Sequence, residues 1–203
     1  MIDQESILEG LSRQLGAGGI DQIAGQLGLG RDQTEKAVAG ALPMLLGGLM
    51  RNSESPDGAA ALLGALQRDH DGSVLDDIGG FLGQGSGAAA AGMGILKHVF
   101  GQREASVENA LAGTSGLDSG NIRQILAMLA PLVMGMLGRN QRQSNLDVGG
   151  LSDLLGGERR VAQKKAPQAV DLIGSLLDSD GDGQVTDDLA KLGGSLLGGF
   201  FGK

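Results

Sequence analysis

Cysteine, tryptophan and tyrosine are absent from the 203 residues, and phenylalanine occurs only 4 times. Without cysteine there can be no disulfide staple and no thiolate-bound metal, which fits a reducing compartment. Without aromatics the core must be filled by Leu, Ile, Val, Met and Ala. Few rigid anchors then remain for gripping a partner or a ligand. Basic residues are also short: 16 Lys and Arg against 24 Asp and Glu give a net charge of −8. That balance disfavours nucleic acid and anionic membranes as general partners. The opening "MIDQESILEG" lacks a basic segment followed by an apolar one, so no signal peptide is read and a cytoplasmic location is expected. No long hydrophobic run is present. The longest, Ile125–Gly138, has 14 residues and contains Pro131. A membrane-spanning helix needs about 20, so a buried helix is predicted and membrane contact is not expected. Runs of β-branched residues with period two are missing as well, and the fold class expected is all-α.

What the chain has in excess is glycine, 38 residues, often as pairs such as Gly47-Gly48, Gly79-Gly80 and Gly193-Gly194 within Leu/Ala-rich text. A glycine costs a helix interior about 1 kcal/mol relative to alanine. The expectation is therefore a bundle of short, Gly-broken helices. Ile7, Leu8, Leu11 and Leu15 form one helical stripe. Asp32 and Glu35 suggest a capping box for a helix ending near Ala41. Ser55-Pro56 reads as an N-cap followed by proline at the first helical position.

The chain also repeats itself. "LPMLLGGLMRN" (42–52) matches "APLVMGMLGRN" (130–140), with Pro43, Gly47, Leu49, Arg51 and Asn52 falling on Pro131, Gly135, Leu137, Arg139 and Asn140. The offset is 88 (131 − 43), and upstream Gly25 and Gly28 fall on Gly113 and Gly116. A second recurrence has an offset of 111 (182 − 71). It pairs "RDHDGSVLDD" with "SDGDGQVTDD", so that Asp76 and Asp77 fall on Asp187 and Asp188. An internally duplicated helical bundle is expected, with an acidic loop closing each half. The division predicted is a first helical half (1–85), a Gly/Ala-rich hinge (86–94) and a second helical half (95–156). A basic linker (157–168) and a helix–acidic loop–helix tail (169–203) come after these.

"GILKHVFG", "IRQILAMLAPLVMGMLGR" and "DSDGDGQVTDDL" with its Gly/Leu-rich tail together resemble the bacterial domain of unknown function 937 family, distantly similar to YidB-like proteins. The resemblance covers most of the chain and is most specific at "LAPxxMG" and "DGDG". It implies a bacterial all-helical protein and no established activity.

The one stretch with metal-site chemistry is "DSDGDGQVTDDL" (178–189). Scored as an EF-hand-like loop, Asp178, Asp180 and Asp182 occupy positions 1, 3 and 5. Gly183 occupies the turn, Gln184 supplies a carbonyl at 7, and Thr186 an oxygen at 9. Position 12, normally a bidentate Glu, is Leu189, so Asp187 or Asp188 must substitute. Weak Ca²⁺ binding, about 10⁻⁴–10⁻³ M, is expected. The plainer reading is an acidic turn whose aspartates cap the next helix, worth about 0.3–1 kcal/mol. In the first copy only Asp69 and Asp71 remain as strong ligands, and His70 is expected to be exposed.

"IAGQLGLGRDQTEKAV" has helix-turn-helix spacing, but Arg31 and Lys36 are offset by Asp32 and Glu35, and in the second copy Arg123 is set against Asp118, where a DNA reader needs a basic second helix. No nucleophile elbow, zincin or phosphate-loop pattern occurs, and His98 is expected to be packed within its helix. The sequence thus reads as a non-enzymatic structural or interaction protein with a weak calcium loop. Its apolar tail, Leu196, Leu197, Phe200 and Phe201, suits docking on its own core, self-association or, least, membrane contact, and a homo-oligomer or a protein partner is expected. A helix-turn-helix-like regulatory module is the alternative.

Overall fold

In the computed structural model residues 6–165 are described, and among them the chain is all-α. Eight helices succeed one another: α1 (Ile7–Leu27), α2 (Arg31–Asn52), α3 (Pro56–Asp69), α4 (Ile78–Leu82), α5 (Ser86–Phe100), α6 (Glu104–Ser115), α7 (Ser119–Ser144) and α8 (Val148–Lys165). Short 3₁₀ turns lie at Ser73–Leu75 and Gly101–Arg103.

Three helices are longer than a Gly-broken chain led us to expect: 21 residues in α1, 22 in α2 and 26 in α7. Most helical stability in a folded protein comes from burying a face, and that outweighs the local cost of a glycine. Only Gly16, at φ 49° and ψ −165°, kinks α1. The stripe on α1 is confirmed, with Ile7, Leu11 and Leu15 buried. Ser55 caps α3 as expected, accepting a hydrogen bond from the Gly58 amide at 3.1 Å. The capping box expected at Asp32 and Glu35 is not formed, because α2 starts one residue after Gly30 with no side-chain cap. The box sits instead at Ser6 and Glu9 of α1. The helix expected to stop near Ala41 runs on through Pro43 to Asn52. Residues 86–94, expected as a hinge, are the first turns of α5, and Ala88, Ala89 and Gly92 there are buried. The start of the expected basic linker, 157–165, continues α8.

One hydrophobic core links both parts of the chain. At its centre α7 packs against α2, α5, α1, α6 and α3. Every residue from Ile125 to Gly138 is buried, as the apolar run predicted. α7 is long and apolar enough to cross a bilayer, but 78% of its most apolar window is enclosed by the bundle.

The two parts share features at the offset found in the sequence. α1 ends at Gly28 (φ 66°) and α6 at Gly116 (φ 74°), left-handed positions that favour glycine. The Gly28 amide donates to the Ala24 carbonyl and the Gly116 amide to that of Ala112. Pro43 and Pro131 are each the thirteenth residue of their helices. α1 packs on α2 and α7, while α6 packs on α7 and α2. α3 crosses to α7, and α8 crosses to α2. A further match joins α3 to α8: Ser55 and Asp147 both accept from the amide three residues on, and "GAAALLG" aligns with "GLSDLLG".

Candidate functional site

α7 contains a proline, so the carbonyl of Ala127, four residues before Pro131, loses its helical donor. Gly92 of α5 meets that carbonyl so closely that a Cβ at 92 would collide with it. The Cα of Gly92 thus takes a place that only a glycine can fill, an arrangement suited to a weak C–H···O contact. One turn further on, α7 offers Gly135 and Gly138. A Cβ at 138 would strike the carbonyl of His70, and one at 135 would lie 2.6 Å from Val74 Cγ1. The pair forms a side-chain-free seat for residues 69–77.

The seat is flanked by cations. Arg139 donates to the Gly72 carbonyl at 2.8 Å and to Asp76 at 2.5 Å. Arg142 lies 3.9 Å from Asp71 and donates to the Gln67 carbonyl at 3.4 Å. Gly72, at φ 88°, turns the chain between them. Asp71 folds back to accept from the Ser73 amide at 2.9 Å. Hydrogen bonds from Ser73, with Arg142 nearby, hold the Asp71 carboxyl below its ordinary value of 3.8. Asp77 caps α4, accepting from the Gly80 amide at 2.7 Å. His70, half-buried rather than fully exposed, is held below its ordinary 6.5 by desolvation, against an opposing pull from Asp69. Beside this loop opens a cleft of 570 Å³ lined by Asp69, Asp71, Asp77, Phe81, Gln84 and Pro131, among others.

The aspartates of this first loop are therefore used as turn, ion-pair and cap ligands. Among the described residues no cluster of three or more His, Asp or Glu side chains is placed to hold a metal. The metal ligands expected at Asp178, Asp180, Asp182, Gln184, Thr186, Asp187 and Asp188 lie outside the described residues. His98, expected to be packed, is exposed, with Nδ1 2.8 Å from the Gly94 carbonyl. It lies on the outer face of α5, while Leu96, Val99 and Phe100 turn inward. Of the cations considered for nucleic acid, Arg31 pairs with Asp21 at 2.6 Å. Arg123 is held by Glu108 at 2.6 Å and Glu104 at 3.3 Å, which raises its pKa further.

Sequence reasoning missed Glu158. It is buried on α8 where α3 carries Leu66, and its Oε1 accepts from the Ile7 amide at 3.1 Å. An anion at the first turn of α1 is favoured by the helix dipole, so Glu158 fastens the last described helix to the first. The "LLG" match between α3 and α8 was the available signal.

The succession of Gly-capped turn, proline-bearing core helix and acidic loop lies within the part of the chain that a family model covers, residues 9–140. The chain belongs to DUF937, a family of bacterial proteins of unknown function. The DUF937 match takes in α2, the seat on α7 and the whole first acidic loop, and stops at Asn140. No curated protein and no solved structure matches the chain.

Proposed function

We propose that this DUF937 protein is a non-enzymatic structural and interaction protein. In this reading a duplicated helical unit forms the scaffold, and the C-terminal loop 178–188 binds Ca²⁺ weakly and supports self-assembly or contact with a protein partner. The observation that carries the reading is the use made of the first acidic loop. It is a fastening device, neutralised by Arg139 and Arg142. Its echo is more acidic and carries no cation of its own. Gln67, Arg68 and His70 are replaced by Asp178, Ser179 and Gly181, leaving five aspartates within 178–188. Clustered carboxylates repel one another unless a cation is supplied. Asp178, Asp180 and Asp182, with Gln184 and Thr186, would hold the ion. Asp187 or Asp188 would replace the missing bidentate ligand, and the other would cap the next helix as Asp77 does.

Isothermal titration with millimolar Ca²⁺ tests the metal, and light scattering with and without Ca²⁺ tests assembly. Heat with a Kd of about 10⁻⁴–10⁻³ M, lost in Asp180→Ala, is expected. Absence of heat, with Asp180→Ala indistinguishable from the parent, sinks the calcium reading. Salt-dependent binding of duplex DNA would instead favour the helix-turn-helix alternative, against which stand the pairings of Arg31 and Arg123.

A further inference from the structure

The stripe of α7 that receives α5 and the first acidic loop consists of Ala127, Pro131, Gly135 and Gly138, all buried. At the offset of 88 the stripe of α2 is Ala39, Pro43, Gly47 and Met50. Ala39 is exposed and the other three are half-exposed. The spacing i, i+4, i+8, i+11 places them along one helical face. Arg51 comes next on α2 where Arg139 comes next on α7.

The topology delivers a matching loop to this stripe. α3 crosses to α7, and the loop after α3 seats on α7. α8 crosses to α2, and the next acidic loop in the chain is 178–188. From Lys165 to Asp178 there are 13 residues (178 − 165), a reach of up to about 45 Å. We propose that residues 178–188 of the same chain dock on the Ala39–Pro43–Gly47–Met50 stripe of α2, in the register in which 67–77 docks on α7.

The pairs that would meet are complementary in size and charge. Val74 over Gly135 becomes Val185 over Gly47, and Asp76 with Arg139 becomes Asp187 with Arg51. Gly138 admits the His70 backbone carbonyl, whereas its equivalent Met50 carries a side chain, so residue 181 would stand further off α2, over the Met50 side chain, than His70 stands off α7. Arg142 becomes Glu54, removing one of the two cations that steady the first loop. The docked second loop is then the more anionic of the two and the one that gains from Ca²⁺. The inference rests on the duplication reading, and the docking itself does not require the ion.

The parent chain has no cysteine, so the full-length double variant Met50→Cys/Gly181→Cys reports the contact directly. It is oxidised in EDTA and again in millimolar Ca²⁺, then analysed by non-reducing mass spectrometry. An intrachain disulfide in both buffers is expected. Exclusively interchain disulfide overturns the proposal and assigns the stripe to a second copy. A chain that stays reduced while its circular dichroism matches the parent overturns it too. A charge exchange covers misfolding of the cysteine variant. Arg51→Asp and Asp187→Arg should each speed proteolysis of the tail about two- to fivefold, the span of an exposed ion pair. The double exchange should restore the parent rate, and failure to restore it counts against the docking. A chain that binds Ca²⁺ but forms no intrachain disulfide leaves the calcium reading standing, whereas a disulfide without Ca²⁺ binding removes calcium and keeps the docking.

Discussion

α2 and α7 share a motif around their prolines, Pro43, Gly47, Leu49, Arg51 and Asn52 matching Pro131, Gly135, Leu137, Arg139 and Asn140, yet one is a surface-facing helix and the other a central one. α7 is buried all round from Ile125 to Gly138, whereas α2 leaves Ala39, Pro43, Gly47 and Met50 wholly or partly open. The local patterns do not explain this, since both helices come after a Gly-capped turn and both contain proline at the same place. The difference lies in the segments packed against each helix. α7 receives α5 at Gly92 and an acidic loop at Gly135 and Gly138, while among the described residues no counterpart of that loop is seated on α2. A glycine in α7 is therefore a contact surface.

The comparison breaks most severely at the glycines that admit another backbone. Gly92→Ala and Gly138→Ala should each destabilise the fold by about 3 kcal/mol, since the new methyl meets a backbone carbonyl rather than a movable side chain. Urea denaturation measures this. Gly25→Ala and Gly113→Ala, with nothing within 4 Å of the added methyl, should stabilise by about 0.5–1 kcal/mol in the same experiment. Met50→Ala, at the α2 position equivalent to Gly138, should cost less than about 1 kcal/mol. Equal losses at 92, 138, 25 and 113 would remove the distinction between contact glycines and helix-interior glycines.

Arg139→Ala comes next. It removes the hydrogen bond to the Gly72 carbonyl and the pair with Asp76, so a loss of about 1–2 kcal/mol is expected. Both bonds come from one guanidinium nitrogen, so Arg139→Lys, which keeps the charge and several N–H donors on a single nitrogen, should recover part of that loss. Thermal unfolding at low and high salt separates the two contributions, because the ion pair is screened and the hydrogen bond is not.

The smallest effects are those of pH. His70 is held below 6.5 by burial, so its contribution to stability is fully present above 6.5 and falls as pH drops from 6.5 toward its lower folded value. Its proton-titration midpoint, followed by NMR, should lie below 6.5. Asp71 is held below 3.8, so its contribution is present above 3.8 and is lost as pH falls through the lower folded value. Asp71→Asn should lower the denaturation midpoint slightly at pH 7, and the difference from the parent should vanish in strong acid.

Much of this was visible in the residues themselves. Absent strand patterns gave an all-helical chain, Ser55-Pro56 gave a helix start, and the unbroken run 125–138 gave a buried helix. Helix lengths were not visible, because a glycine reads the same whether it ends a helix or lines a contact. Gly28 and Gly116 do the first; Gly92, Gly135 and Gly138 do the second. The first acidic loop was recognisable as a loop, but not its partners. Arg139 and Arg142 lie more than sixty residues away, and no local spacing points to them.

The sequence alone determined the composition of the core, the helical class, the 88-residue recurrence and the acidic loops, since each depends on residue type and short spacing. Tertiary structure decided which of the two proline-bearing helices became the centre, which glycines became contacts, and that Asp71 and Asp76 of the first loop answer to arginines. Those outcomes depend on which segment is folded back against which face, and that is settled only when distant parts of the chain meet.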